Sequence, residues 1–205
     1  PLRPIAAMLS ENYDLRAIDL SLEGEVPGDV DALLLLGSQR QPGEPALFAV
    51  DQFVMRGGGL AVFALGAVPD PASRQVQPPT ADLNPLLEPW GLTIGEGLVV
   101  QRSLDGAIRL PVRMRTPRGD VEMQQQVSSP LVPILRDLDK GHPVTRRLDT
   151  LVAPFARPVV PGEMAPGVVA TVLARSEPDG AVGGPVPSLD PRALAEPLPG
   201  ERASA

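Results

Sequence analysis

The amino-acid sequence predicts an α/β fold, in which a mostly parallel sheet carries helices on both faces and a β-hairpin is added. Residues 32–36 and 60–65 are short, continuous apolar runs, typical of strands covered on both sides. Between them, residues 44–56 place apolar side chains at helical spacing, and three glycines follow. Strand, helix, glycine turn and strand make a right-handed βαβ unit, whose two strands run parallel.

The predicted hairpin lies at residues 112–127. Val112 and Met114 alternate with arginines, residues 116–120 have turn composition, and Val121 and Met123 then alternate with polar residues. Alternation with a period of two predicts one apolar and one charged face. We expect this hairpin to join the main sheet or to stand at its edge.

The remaining segments carry weaker patterns. We predict helices at 2–12 and 83–90, strands at 14–20, 92–101, 151–160 and 168–175, and a surface loop at 69–79. The chain then divides into an α/β accessory domain at 1–176 and a Pro/Gly-rich C-terminal extension at 177–205 with at most one weak strand.

Composition excludes several classes of function. The net charge of −7 disfavours nucleic acid and anionic membrane surfaces as partners. The chain has no cysteine, and its single histidine excludes a histidine-rich metal site. The longest apolar stretch, 60–68, is far shorter than the roughly 20 residues of a membrane-spanning helix. Because the chain begins at Pro1 without a signal-peptide pattern, we expect it to be part of a longer protein that carries any membrane anchor elsewhere.

Four motifs together resemble the GldG-like family, the auxiliary component of gliding-motility-type ABC transporters. They are DVDALLLL at 29–36, DQFVMRGG at 51–58, LNPLLEPWG at 83–91 and HPVT at 142–145. The second motif is the most specific of the four, and the last is shared by related folds. The resemblance covers most of residues 13–175.

The resemblance implies a flavodoxin-like fold of the class I glutamine amidotransferase type. It also implies an extracytoplasmic, periplasmic or extracellular domain, which transmembrane helices elsewhere in the protein would hold at the cytoplasmic membrane of a bacterium. The domain would contact a transporter's permease or other envelope subunits and would not catalyse a reaction. The sequence departs from the family in starting at a helix, so we expect the family's first strand either to be missing or to lie outside this sequence.

No catalytic residue is predicted. An enzyme with this fold places its nucleophile on the sharp turn after a central strand, here residues 63–67, and this turn offers only apolar groups. We therefore predict that the protein is not an enzyme and that it uses neither a cofactor nor a metal. The best position for a ligand is the loop formed by Gly37, Ser38, Gln39 and Arg40, which follows a strand and precedes a helix.

The other conspicuous residues have structural interpretations. In the family motif, Asp51, Gln52 and Arg56 lie on an amphipathic helix, where Asp51 can pair with a nearby cation or a neighbouring loop, and Gly57 and Gly58 cap it. His142 precedes a proline in a turn and is expected to hydrogen-bond the backbone.

The one basic cluster lies on the predicted hairpin. It consists of Arg109, Arg113, Arg115 and Arg118, and the opposite strand carries Glu122. Cross-strand pairing and solvation explain this arrangement, with an acidic partner protein as the alternative.

Three hypotheses for function follow. The favoured one is a non-catalytic auxiliary domain of an ABC-type transport system, acting as a scaffold or binding module. The second is a hydrolase or transferase that uses the loop at 37–40 with Asp70 or His142. The third is an envelope sugar-binding domain, for which Tyr13 and Trp90 are the available aromatic side chains.

Overall fold

The structure, a computed structural model, describes residues 3–37, 40–70, 72–103, 105–116, 119–186 and 188–203. The chain forms two compact units. Unit 1 consists of residues 1–35 and 42–62, and unit 2 consists of residues 36–41 and 63–205.

The elements of the first part of the chain are α1 (Arg3–Leu9), α2 (Leu20–Glu23), β1 (Ala32–Leu36), α3 (Glu44–Met55) and β2 (Gly59–Phe63). Strands β1 and β2 form a two-stranded sheet. The amide of Gly59 bonds Asp31 O at 3.0 Å, and the amide of Gly37 bonds Phe63 O at 2.9 Å. The first bond joins the start of β2 to the start of β1, and the second joins the end of β1 to the end of β2. The two strands are therefore parallel. The predicted βαβ unit is therefore confirmed.

Helix α3 ends in the glycine cap that its sequence predicts. Gly57 has a φ of 94°, and its amide bonds Val54 O at 2.8 Å, while the amide of Gly58 bonds Phe53 O at 3.0 Å. This pair of bonds is the Schellman motif, which satisfies two carbonyls that the helix end leaves without partners. Gly58 also lies so close to the Phe53 ring that a Cβ there would fall 2.3 Å from Cζ.

The buried apolar residues of unit 1 come from β1, from α3 and from the loop between α2 and β1. They are Val26, Leu33, Ala49, Val50 and Phe53. Leu33 is the one buried residue of β1, and β2 has none. The expectation that both strands are covered on both faces is therefore wrong.

Unit 2 holds all the remaining elements. They are β3 (Val68–Asp70), β4 (Gln75–Gln77), α4 (Asn84–Leu87), a 3₁₀ helix (Glu88–Trp90), β5 (Leu92–Ile94), β6 (Leu98–Val100), β7 (Asp105–Thr116), β8 (Gly119–Leu135), β9 (Asp137–Leu138), β10 (Leu151–Val152), β11 (Val159–Pro161), β12 (Ala174–Arg175), β13 (Ala181–Gly183), α5 (Pro191–Ala195) and β14 (Arg202–Ala203).

These strands form several small sheets. Their pairs are β3 with β4, β7 with β8, β8 with β10, β5 with β11, β9 with β12, and β13 with both β6 and β14, and all of these are antiparallel. The hairpin β7–β8 confirms the predicted one and extends well beyond it. Its register places Arg113 opposite Glu122.

The predicted fold class, a mostly parallel sheet with helices on both faces, is wrong. A parallel connection needs a crossover of a dozen or more residues, usually a helix. After β2, the longest helix in the described residues is α5, with five residues. The chain after the βαβ unit therefore pairs its strands with antiparallel neighbours, and the flavodoxin-like and amidotransferase-like interpretation no longer applies.

Several local predictions are also corrected. Residues 14–20 contain no strand; instead Asp19 caps α2, with its Oδ1 accepting from the amide of Ser21 at 3.0 Å. The loop predicted at 69–79 contains the hairpin β3–β4. The strand predicted at 92–101 is divided into β5 and β6, because glycines at 95 and 97 break it.

Two later strands are likewise shorter than predicted. The segment 151–160 contains β10 and the start of β11, separated by an irregular stretch. Of 168–175, only β12 is strand.

The core of unit 2 contains side chains from the long hairpin and from residues 186–198, which pack against one another. Leu110 and Leu131 supply the hairpin side, and β6 adds Leu98 and Val100. Residues in the segment predicted as an extension complete the cluster, namely Val186, Leu189, Leu194 and Leu198. Residues far apart in the sequence therefore stabilise one another here.

Candidate functional site

A cavity of about 460 Å³ lies within unit 2. Its walls come from the turn before β6, the end of β13, the start of β14 and the segment just before β11. The charged residues that line it are Arg157, Arg202 and Glu96. A cavity of this size is within the range of small-molecule sites, which span roughly 300–1,000 Å³.

Main chain forms much of the cavity wall. Gly183 pairs with Leu98 in the β6–β13 ladder, and a Cβ at the neighbouring Gly97 would lie 3.0 Å from Gly183 O. Both glycines line the cavity, together with Gly184. Because these positions carry no side chain, a bound molecule can approach the backbone closely.

Arg157 is held in place by the backbone. Its Nε donates to Gly95 O at 2.7 Å, and the amide of Gly95 donates to Pro158 O at 2.8 Å. The side chain is half-buried. Neither terminal nitrogen of the guanidinium bonds a described residue, so both are available to a molecule in the cavity.

The segment leading to Arg157 has a constrained backbone. Phe155 has a φ of 52°, which is uncommon for a residue with a bulky side chain. Its amide bonds Leu131 O at 2.7 Å, and its side chain packs against the core. Phe155 O also passes so near Gly66 that a Cβ there would lie 1.7 Å from it. Core packing therefore determines where Arg157 enters the cavity wall.

An ion pair positions the opposite wall. Arg102 Nη1 lies 2.5 Å from Glu201 Oε1, and Nη2 lies 3.0 Å from Oε2. The amide of Leu198 donates to the same carboxylate at 2.6 Å. These bonds lower the pKa of Glu201, with the side chain of Arg102 as the main cause. They hold the short segment that carries Gly200 and Arg202.

This ion pair predicts a pH-dependent stability. The folded state lowers the pKa of Glu201, so its stabilising effect is complete above the carboxyl group's ordinary pKa of about 4.3. The effect is lost as the pH falls through the lower, folded-state pKa. Glu201→Gln should therefore unfold at lower urea concentration than the wild type at pH 7, and the difference should shrink below about pH 4. A difference that stays constant down to pH 3 would contradict this assignment; Glu163→Gln, at an exposed position, is the matched control.

The ligand loop predicted from the sequence lies elsewhere in unit 2. Gly37 ends β1 with a φ of 53°. Arg40 is exposed, while Ser38 and Gln39 lie outside the described residues. A ligand at 37–40 therefore stays a prediction.

The family-motif residues at 51–56 make local contacts. Asp51 Oδ2 accepts from Gln52 Nε2 at 3.3 Å. Arg56 Nη2 donates to Val26 O at 3.1 Å, which ties the end of α3 to the chain after α2. These contacts lie within unit 1.

The two residues of the enzyme hypothesis are both engaged in turns. His142 Nδ1 accepts from the amide of Val144 at 3.3 Å. Asp70 accepts from Ser73 Oγ at 2.6 Å and from the amide of Ala72 at 3.0 Å. The hydrogen bond from the Ser73 hydroxyl is the main reason that the pKa of Asp70 is below its ordinary value. Asp70 is therefore fully ionised at neutral pH.

Other candidates are placed as follows. Tyr13 is exposed and Trp90 is half-buried. Arg109 is exposed on β7, whereas Arg118 lies outside the described residues. Across the described ranges, no group of three or more histidine, aspartate or glutamate residues could hold a metal ion.

Sequence reasoning did not single out the cavity residues Arg157 and Arg202. The sequence around these arginines gives little indication of a site. Each arginine is isolated in a stretch that contains Pro and Ala, and the glycines at or beside the cavity occur as ordinary pairs, at 95 and 97 and at 183 and 184. Each is an ordinary turn or strand-end pattern. The pairing of β13 with β6 and β14 brings Arg202 to the site. Hydrogen bonds from Gly95 and Val99 to the carbonyls of Pro158 and Ala156 bring Arg157 there.

Comparison with known proteins identifies the class to which this chain belongs. Residues 1–200 match the family described as an ABC-type uncharacterized transport system, auxiliary component. The chain therefore belongs to this family of auxiliary components of ABC-type transport systems. Neither the comparison with curated proteins nor that with solved structures gave a match. In the described part of the chain, every helix is too short or too polar to cross a bilayer.

Proposed function

We propose that this chain is a non-catalytic auxiliary domain of the GldG-like, gliding-motility-type subfamily, which acts as a scaffold or binding module beside the transporter. The family match over residues 1–200 carries the proposal. The subfamily rests on the motifs at 51–58 and 83–91. We place the domain on the periplasmic or extracellular side of the membrane, where it contacts the permease or other envelope subunits.

The two arginines of the cavity support a role in binding an anion. A guanidinium stays protonated at neutral pH and only donates hydrogen bonds, so Arg157 and Arg202 can hold an anion but cannot act as a base. His142, the single histidine, already accepts a backbone hydrogen bond at Nδ1. Hydrolysis of an amide or ester by the purified protein that disappeared in His142→Ala would contradict the non-catalytic assignment.

One labelling experiment tests both location and partner. The chain lacks cysteine, so Ser10→Cys, at an exposed position, introduces a unique thiol in this domain. Intact cells that produce the full-length variant are treated with a membrane-impermeant biotin maleimide, solubilised in mild detergent and passed over streptavidin. We expect the protein to be captured together with an ABC-transporter permease, identified by mass spectrometry.

Two control variants make the result specific. Ser129→Cys lies at a fully buried position and should react only after denaturation. The unsubstituted full-length protein measures any labelling at cysteines outside this domain, and the Ser10→Cys signal is counted only above that level. Labelling of Ser10→Cys only after the membrane is permeabilised would refute the extracytoplasmic location, and capture without a permease would refute the transporter partner.

A further inference from the structure

We propose that the unit 2 cavity binds a small organic anion, with an apolar body and a carboxylate or similar head group. This inference deepens the binding-module role and rests on it. The ligand would lie between Arg157, Arg202 and the glycines that line the cavity. No contact with the transporter is needed for the argument.

The cationic side of the site carries the head-group assignment. Both terminal nitrogens of Arg157 lack a hydrogen bond to any described residue. The side chain of Arg202 forms no ion pair or hydrogen bond with one, although its backbone pairs with Val182. Among the described residues that line the cavity, Glu96 is the one acidic side chain beside the two arginines. One excess positive charge therefore remains, in a chain of net charge −7. A guanidinium fork matches the geometry of a carboxylate, and such charge-assisted hydrogen bonds are among the strongest that a protein forms.

The other lining side chains indicate an apolar body. Val76, Leu98 and Val186 lie against the cavity, with prolines at 78, 79 and 185 at its border. Leu98 and Val186 also belong to the core of unit 2. A site with apolar walls and a few convergent polar groups selects molecules of the same mixed character.

Contacts within the protein hold the walls in place. The Arg102–Glu201 pair fastens the segment at 200–202, and the Nε hydrogen bond fixes the plane of the Arg157 guanidinium. A site whose groups are already ordered loses little conformational entropy on binding. We therefore expect ligand binding to leave the backbone of unit 2 unchanged outside the cavity.

Glycine amides make a direct probe of occupancy. The cavity is lined by Gly66, Gly97, Gly183, Gly184 and Gly200, whereas Gly24, Gly28 and Gly141 are not among its lining residues. The full chain labelled with ¹⁵N-glycine is titrated with octanoate and, separately, with octan-1-ol, which has the same chain length and no charge. Octanoate should produce saturable shifts at the cavity glycines only and should bind at least about tenfold more tightly than the alcohol.

Charge variants test the role of the arginines. Arg157→Gln with Arg202→Gln should weaken octanoate binding by at least about tenfold and leave octanol binding unchanged. Arg109→Gln with Arg147→Gln makes the same change of charge at exposed positions outside the cavity and should leave both unchanged. Glu96→Gln should strengthen octanoate binding because it removes a like charge.

The single variant Arg202→Gln distinguishes weaker binding from misfolding. This side chain is exposed and forms no bond to a described residue, so its replacement should leave the fold unchanged. It should retain the wild-type glycine spectrum and weaken octanoate binding severalfold. Three results would overturn the proposal: no saturable shift at the cavity glycines, equal binding of acid and alcohol, or unchanged octanoate binding in both arginine variants. The purified chain is used without a transporter, so this result and the co-capture result can fail separately.

Discussion

Leu131→Ala should lower the free energy of unfolding of unit 2 by about 3–5 kcal/mol. Leu131 lies on β8 and is fully buried in the core cluster with Leu110, Leu189 and Val100. Removing its side chain leaves a cavity among groups that both the hairpin and the C-terminal segment contribute, so neither side can collapse into the space. Urea unfolding followed by the fluorescence of Trp90, the single tryptophan and a residue of unit 2, measures the change.

Val121→Ala is the control on the same strand. Val121 is 46% exposed, and its truncation should cost no more than about 0.5 kcal/mol. Equal effects of the two substitutions would show that Leu131 is not at the centre of a packed core. Residues 181–198 would then contribute far less to stability than their burial indicates.

Gly91→Ala should lower the free energy of unfolding by about 3 kcal/mol or more, through two separate physical effects. Gly91 ends the 3₁₀ helix with a φ of 89°, a conformation that costs an alanine roughly 1–2 kcal/mol. In addition, a Cβ there would lie 2.4 Å from Glu163 O and 2.8 Å from Met164 Cα. Because both atoms belong to the backbone, relief requires the whole segment to move, which costs at least as much again.

Gly167→Ala separates these two effects. Gly167 has a φ of 82°, but a Cβ there would meet nothing within 4 Å. Its substitution should therefore cost only the conformational part, roughly 1–2 kcal/mol. Equal losses at the two positions, measured by the same urea unfolding, would show that residues 163–164 do not press against Gly91.

The elements that sequence predicts well are those whose signal is complete within one segment. Helix α3 carries its apolar stripe, and Gly57 supplies the cap that stops it. The hairpin β7–β8 is equally local, because alternation and a turn specify an antiparallel pair. The family motif at 51–58 is local only in part: Gln52 bonds its neighbour Asp51, whereas Arg56 bonds Val26 O, thirty residues away.

The candidate site could not be derived in this way. The sequence predicts a ligand at 37–40 because sites in parallel α/β folds lie where a strand meets a helix at the edge of a large parallel sheet. In the described residues, the parallel sheet has only the two strands β1 and β2. The cavity depends on Arg157, Arg202 and glycines from three distant parts of the chain. No single segment among them differs from an ordinary turn or strand end.

The sequence by itself determined the βαβ unit, the long hairpin, the lack of thiol groups in these 205 residues and membership in the family of ABC-transport auxiliary components. Tertiary structure alone decided how the other strands pair and which distant residues share a cavity. The physical reason is the length scale of the interactions: periodicity and capping act over a few residues, whereas short strands separated by prolines and glycines can pair with many partners. Burial of side chains such as Leu131 and Leu189 against each other selects among those partners.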